Sequence, residues 1–430
     1  MQSVKSTLTK DQKQAVGLLS IGTFLEYFDL MLYVHMAVLL NELFFPKTDP
    51  FTASILSAAA FCSSYLLRPF AALIFGYIGD TIGRKNTVVI TTFLMSFSCL
   101  IMANLPTYAQ IGITASWIIT ICRILQGMSS MGEVVGAELY LSEMIKPPLR
   151  YSSVSVMVIA ATLGGTAALA LAYCVTSYGF SWRIAFWFGA GIALIGSIAR
   201  TALRETAEFI NAKKNLENTL KQASMDSALD LPSRDSLNKT TLIAYFLIEC
   251  TGPLWFCISY IYCGNILKNS FGFTAEQVIQ QNFIVSCIDL FGTIFLTWLV
   301  IRIHPLKVLQ ARLSIFLPFA LLMPILLNNA SGYYQLFLFQ IFIALFAPTG
   351  FPAFAVFCMN FPVFKRFMCS SLIYAISRAL MYAVASFGIV FVTEYFTHWG
   401  LLIVVVPVII GFTFGLFYFK RLEVSAGNFY

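Results

Sequence analysis

Nine ionisable side chains sit inside long apolar runs of this chain: Glu26, Asp29, Arg68, Arg123, Glu133, Glu138, Glu249, Asp289 and Arg378. A lone charge in the middle of a membrane helix costs about 2.5–3.5 kcal/mol on the insertion scale, so each must meet a partner or do work. Glu26 and Asp29 lie three apart within "GTFLEYFDLMLYV" and share one helix face. Arg123, Gln126, Ser130 and Glu133 follow one another at offsets of 3, 7 and 10, a single polar stripe with Gly127 beside it for close approach. Arg68 precedes Pro69 about halfway along its own apolar run. In this first half of the chain the deep acids Glu26, Asp29 and Glu133 outnumber the deep arginines Arg68 and Arg123, so one carboxylate is left over. A carboxyl group that is neutral when alone and ionised when a guanidinium approaches can carry a proton across a barrier. The bland alternative is a static salt-bridge network that holds helices together.

Those residues need a hydrocarbon setting, and the composition supplies it. Charged residues make up 11% of the 430, hydrophobic residues 59%, and the mean hydropathy is +0.80. These values exclude an ordinary soluble domain. The net charge of +7 is small for the length and not clustered, so nucleic acid is not an expected partner. Ten cysteines are scattered without a CxxC or a Cys/His run, which supports neither a disulfide framework nor a zinc site. No GxxxxGK[ST] run is present for nucleotide phosphates. The only histidines are His35, His304 and His398, so haem or iron–sulfur ligation is unsupported, and no role is assigned to them. No cofactor and no enzymatic activity are expected.

A window of about 19 residues divides the chain into twelve apolar segments, near 16–43, 52–78, 86–104, 108–141, 151–176, 183–203, 240–267, 275–300, 308–328, 333–358, 368–394 and 398–419. Each is long enough to cross a core of about 30 Å as a helix. The first segment follows a polar stretch without a small-residue cleavage site and reads as a retained helix. The longest polar interruption, 204–239, mixes acidic and basic residues and separates six segments from six. Lys and Arg gather in the N-terminal tail, "GRK" (83–85), "KPPLR" (146–150), that linker, "RIHPLKVLQAR" (302–312), "FKRF" (364–367) and "FKRL" (419–422). With an even number of helices these all fall on one side, and the excess of positive charge makes that side, with both termini, cytoplasmic.

In the second half, Glu249 precedes Gly252-Pro253, and "APTGFPAF" (347–354) places two prolines and a glycine inside the tenth segment. Such breaks free backbone carbonyls that must face protein or water rather than lipid, and membrane carriers place binding sites at them. Trp255, Tyr260, Tyr262, Tyr374 and Tyr382 accompany Arg378 there. An aromatic lining with one arginine suits a small carboxylate, and could also hold a quaternary ammonium by cation–π contact. Bulk-filling aromatics are common in a chain with 41 Phe, so packing is the competing reading for each.

Two motifs then resemble a known family. "FGYIGDTIGRK" (75–85) is similar to the GxxxD(R/T)xGRR/K loop of the major facilitator superfamily, and "RILQG" (123–127) to its RxxQG motif. Further stretches resemble its metabolite:proton symporter branch, which includes citrate, alpha-ketoglutarate, shikimate and proline/betaine transporters: "EYFDLMLY" (26–33), "RP" (68–69), "GE" (132–133), "WRIAF" (182–186) and "RETAEF" (204–209). The resemblance is dense from residue 20 to 210 and thin beyond. The chain departs from the pattern at Tyr27, Phe28, Val34, Met131 and Tyr151. The second copy of the loop motif, expected between the eighth and ninth helices, has decayed to "IRIHPLK" (301–307).

The resemblance implies an all-α membrane protein of twelve transmembrane helices in two six-helix halves, 1–203 and 240–430, joined by a cytoplasmic linker, 204–239. It implies a secondary active transporter that takes up a small carboxylate-bearing organic solute, an organic acid or a zwitterion such as proline or betaine, with protons. An exporter or uniporter on the same scaffold, or a non-transporting membrane sensor, stays open. Asp29, Arg123, Glu26 and Glu133 are expected to couple protons, and Arg68, Tyr33, Trp255, Tyr374 and Arg378 to meet the solute. Gly76, Asp80, Gly83, Arg84, Lys85 and Glu143 are expected to gate the cytoplasmic side. The expected partners are that solute, protons and the lipid bilayer, with the chain a monomer in a bacterial inner membrane.

Overall fold

The structure, a computed structural model, describes residues 7–46, 65, 67–178, 181–201, 210, 211, 214 and 237–429. Most of the linker at 204–239 therefore lies outside the described residues. In chain order the helices are α1 (Lys10–Phe44), α2 (Arg68–Thr81), α3 (Arg84–Asn104), α4 (Ile113–Ser130 and Gly136–Met144, joined by a π-helical turn), α5 (Leu149–Tyr178) and α6 (Trp182–Arg200). After the linker come α7 (Lys239–Phe271), α8 (Ala275–Leu299), α9 (Pro305–Asn328), α10 (Tyr333–Phe346), α11 (Val363–Ala383, continuing to Ile389–Phe396) and α12 (Leu401–Ser425). Apart from the tenth segment, the ends of the expected segments and of these helices agree to within about six residues wherever both are described.

Local chemistry sets several of the ends. Thr274 and Gln277 form a capping box at the start of α8, and Asn238 accepts from the Thr240 amide ahead of α7. Gly272, at φ +67°, closes α7 in the left-handed conformation. Seven helical stretches among the described residues are long and apolar enough to cross a membrane, including α1, α3, α5, α7, α8 and α9. α4 matches them in length but interrupts its apolar run with Arg123, Glu133 and Glu138. Large side chains such as Phe70 and Tyr77 on α2, Phe97 on α3 and Phe291 on α8 point outward, as lipid contact requires.

α1 packs along α5 and α6, and α3 along α6, within the first six helices. α7 packs on α11 and α12, and α9 on α12, within the last six. Two seams join the sets, α2 against α11 and α5 against α8. The first is tight because Gly76 has no side chain: a Cβ there would lie 2.7 Å from the Met368 Cα. The second carries a hydroxyl pair, Thr166 to Ser286 at 2.7 Å.

Two expectations are corrected here. The tenth segment is not one helix, because α10 stops at Phe346 and helix resumes only at Phe354–Cys358. Arg312, counted from sequence among the basic residues of a surface loop, instead lies inside α9 and is buried. It donates to the carbonyls of Ala347 and Phe351 at 2.5 and 3.1 Å, satisfying acceptors that the α10 break releases.

The last six helices are also tied by a buried amide network. Gln340 on α10 donates to the Ser259 carbonyl at 2.6 Å and to Asn282 at 3.2 Å, and accepts from Gln281 at 2.6 Å. Gln340→Leu should destabilise the protein by about 1–2 kcal/mol, the range for polar contacts between membrane helices. A lowered thermal unfolding midpoint in detergent, with Gln280→Leu at an exposed position of α8 as the neutral comparison, checks this.

Candidate functional site

Three sites emerge from the residues upward. The first is a charged cluster among α1–α4. Glu26 and Asp29 project from one face of α1, as their spacing requires, and are buried. Arg68 approaches Glu26 at 3.7 Å and lies over the Tyr65 ring at 4.4 Å. Arg123 lies over the Tyr33 ring, 4.0 Å from its centroid, and donates to Gln126 at 3.0 Å. Asp29 and Arg123 face one small cavity, with Glu26, Arg68, Gln126 and Gly127 around it. Yet no ion pair joins them. Asp29 instead accepts from the Cys99 thiol at 2.7 Å. Its Oδ1, and the Nε and Nη2 of Arg123, are buried with no hydrogen-bond partner. Gly189 on α6 makes room for that oxygen, since a Cβ there would lie 2.8 Å from it.

Unmade bonds of this kind are costly in a low-dielectric interior. They leave Asp29 and Arg123 as two halves of a pair that this conformation holds apart. The side chain of Glu133 lies outside the described residues, as does that of His35.

The second site is a cavity of about 170 Å³ between the two sets of helices. Tyr27 of α1, Glu138 of α4, Ser155 of α5, Glu249 of α7, Thr349–Phe351 of the α10 break, and Tyr374 and Arg378 of α11 line it. Arg378 donates to Glu249 at 2.9 Å and packs over the Tyr374 ring at 3.3 Å. The Tyr374 hydroxyl is 3.4 Å from that of Tyr27. Gly350 fits against Glu249, where a Cβ would stand 3.0 Å from Oε1.

Of the residues expected to meet a solute, the structure brings Arg378 and Tyr374 together here. Arg68 and Tyr33 belong to the first cluster. Trp255 borders a neighbouring cavity of about 200 Å³ with Tyr260, Asp289 and Arg312. Its indole N–H donates to the Pro348 carbonyl at 2.9 Å and its ring meets Phe316 at 4.8 Å, so it supports the α10 break. Tyr262 bonds His398 at 2.6 Å, and Tyr382, one turn beyond Arg378 on α11, packs against Tyr65 at 4.3 Å.

The third site is a latch at one end of the α2–α11 seam. Gly83, at φ +140°, makes a turn between α2 and α3 that a side chain would strain. That turn aims Arg84 at Asp80 (2.9 Å), at both oxygens of Glu143 (3.1 and 3.3 Å), at the Val363 carbonyl (2.7 Å) and at the Gly79 carbonyl. Glu143 also accepts from Arg366 at 3.1 Å. Asp80 accepts from the Phe367 and Met368 amides at 3.1 and 2.9 Å. The expected gating residues Gly76, Asp80, Arg84 and Glu143 thus meet α11 directly, Gly83 supplies the turn that aims Arg84, and Lys85 sits half-buried at the start of α3.

At the corresponding point of the second six helices the decayed loop makes no such arginine–carboxylate latch among the described residues. His304, its ring fully buried, caps α9 by accepting from the Leu306 amide at 3.3 Å. It packs against Tyr151 and Phe429 at 5.5 and 5.1 Å. Two departures from the family pattern, His304 and Tyr151, therefore compensate each other.

Cys99 and Arg366 were not singled out by the sequence, and Glu138 was named among the buried charges without being given a role. A cysteine in an apolar run looks like a small hydrophobe. Arg366 looked like a topological charge. For Glu138 a signal existed: it is one turn beyond Val134, and both line the central cavity.

A bundle with a latch at one end, a cavity between two helix sets and charges buried beside it defines a polytopic membrane carrier rather than an enzyme. The chain belongs to the Major Facilitator Superfamily, whose family profile matches residues 19–376. It is similar to a putative proline/betaine transporter of Staphylococcus aureus (strain MSSA476), at 31% identity over 58% of this chain and 52% of that one. It is also similar to the inner membrane metabolite transport protein YhjE of Escherichia coli (strain K12), at 35% identity over 45% of this chain and 46% of that one. The chain spans about half the length of the curated relatives it matches. In fold it resembles the proton:xylose symporter XylE, with a TM-score of 0.75 at 15% identity over 95% of each chain. FucP in the outward conformation gives a TM-score of 0.68 at 14% identity over 95% of this chain and 99% of that one.

Glu143→Gln should loosen the latch, because Arg84 and Arg366 share that one carboxylate. Spin labels on exposed Asn86 and Phe364 should report one short distance in the wild type and an added longer population in the variant. A loss of about 1.4 kcal/mol would change the population ratio about tenfold.

Proposed function

We propose that the protein takes up a small carboxylate-bearing organic solute, driven by protons, through alternating access. The observation that carries this reading is the separation of Asp29 from Arg123. Both are buried in one cavity, each has unmet hydrogen-bonding capacity, and no ion pair joins them. A carboxyl group in that position exchanges a proton for an arginine when the helices shift, which ties proton movement to conformation. Glu26, held by Arg68, is the adjoining member of the relay.

The solute occupies the central cavity, with Arg378 as its carboxylate anchor. Arg378 spends one N–H on Glu249 and keeps others for a solute, and its planar fork suits a carboxylate. The Arg84–Glu143–Arg366 latch closes the cytoplasmic side while the cavity is loaded from outside. The relatives named for proline/betaine and metabolite transport support this solute class. Consistent with the basic loops, the termini and the latch face the cytoplasm of a bacterial cell. The chain works as a monomer of two six-helix halves, 1–203 and 240–430, with 204–239 as linker.

Asp29→Asn keeps the side-chain shape and fixes the group as neutral. In proteoliposomes with an imposed pH gradient it should cut uphill accumulation at least about tenfold while exchange of solute down its own gradient persists. Arg123→Ala should be comparably severe. The assay needs a panel of organic acids, amino acids and betaines. Wild-type accumulation by Asp29→Asn would remove Asp29 from the coupling role.

A further inference from the structure

Glu138 is the one cavity-lining acid that the account above leaves without work. It is only 7% exposed, its side chain has no hydrogen bond or ion pair among the described residues, and it lines the central cavity between Tyr27 and Ser155. The charges whose fields reach it are those of Glu249 and Arg378. Glu249 and Arg378 already satisfy each other at 2.9 Å. The cavity wall therefore holds two carboxyl groups and one guanidinium, and the carboxyl group left over is that of Glu138.

A buried carboxyl group with no partner among the described residues ionises when a positive charge is brought to it, and then pairs with that charge. A simple organic acid brings no such charge. A solute with a positive nitrogen does. Tyr27 lines the same cavity as Glu138 and brings an aromatic ring to it, whereas the face of Tyr374 is already covered by Arg378. An aromatic face and a carboxylate together suit an alkylated ammonium group.

We propose that Glu138 is the specificity-determining residue of this cavity. It selects solutes that carry a positively charged nitrogen, holding that nitrogen opposite the carboxylate bound by Arg378. The solute class is then a small zwitterion, rather than a simple organic acid. The cavity of about 170 Å³ holds a solute of that size. This deepens the reading of the cavity as the solute site and rests on it. It does not depend on proton coupling through Asp29.

The test uses two pairs of probes matched in shape. Glycine betaine is paired with 3,3-dimethylbutyrate, which replaces the quaternary nitrogen by carbon, and proline with cyclopentanecarboxylate. Binding to the full-length protein in detergent, measured by calorimetry without any pH gradient, separates recognition from coupling. At least one nitrogen-bearing member should bind more tightly than its carbon partner. Glu138→Gln should weaken that member about 10- to 100-fold and leave the carbon partner within about twofold, so that the preference disappears. Glu138→Asp, which keeps the charge, should retain the preference, and its binding shows that substitution at this position leaves the fold intact. Preference for the carbon partners, binding of neither kind, or equal losses for both members of a pair in Glu138→Gln would overturn the proposal. Binding as expected, with no proton-driven uptake, would instead contradict the coupling reading and leave this one standing.

Discussion

The constraint on which the rest of this structure depends is the cost of leaving a charge without a partner in hydrocarbon. Lipid supplies no hydrogen bonds, so every buried ionisable group must be answered within the bundle or by what the bundle binds. Where the answer is complete, the contact is structural: Arg312 closes the carbonyls of the α10 break, and Arg84 is surrounded by acceptors from α2, α4 and α11. Where the answer is incomplete, function is concentrated. Asp29 has a thiol in place of an arginine, Arg123 has a tyrosine ring and one amide, and Glu138 has an open cavity.

The two sets of helices use this constraint differently. The first six keep the full loop motif and put it across the seam, so that their α2–α3 turn holds the backbone of α11 as well as its side chains. Backbone contacts of that kind tie the latch to the position of α11, and α11 also carries Tyr374 and Arg378. The state of the latch and the shape of the cavity are thereby properties of one helix. The last six have replaced their copy of the latch with a ring contact between His304 and Tyr151. They retain instead a broken α10 whose carbonyls are held by Arg312 and Trp255. Gly350 in that break lets Glu249 approach Arg378.

Much of this was legible from residue types. Apolar run lengths placed the helices, three-residue spacing put Glu26 and Asp29 on one face, and the glycines of 76–83 announced the turn that aims Arg84. The tertiary partners were not legible, because partner choice is set by helix rotation and register rather than by spacing along one helix. Counting acids against arginines implied a surplus carboxylate in the first half, and Asp29 is the acid counted there that the structure leaves without an ion pair among the described residues. The count did not reveal that Cys99 would hold Asp29, since a thiol among apolar residues carries no pattern. It also missed a second surplus at Glu138, which sits beyond the π-helical turn of α4. That turn inserts a residue's worth of rotation, so the stripe that runs through Arg123 and Gln126 no longer fixes which cavity a later residue faces. Trp255 was assigned to the solute because it follows the Gly252-Pro253 break, where a binding site was expected. The α10 break supplies its actual partner.

The central claim is that movement of the solute and movement of a proton are one event through Asp29. It is tested most directly by adding a solute from the panel that the protein carries to weakly buffered proteoliposomes with no imposed gradient, while following external pH and solute entering the vesicles together. The account predicts that wild-type protein makes the medium more alkaline as solute enters, and that Asp29→Asn lets solute equilibrate with no pH change. Solute entry through wild-type protein without any proton movement would contradict it.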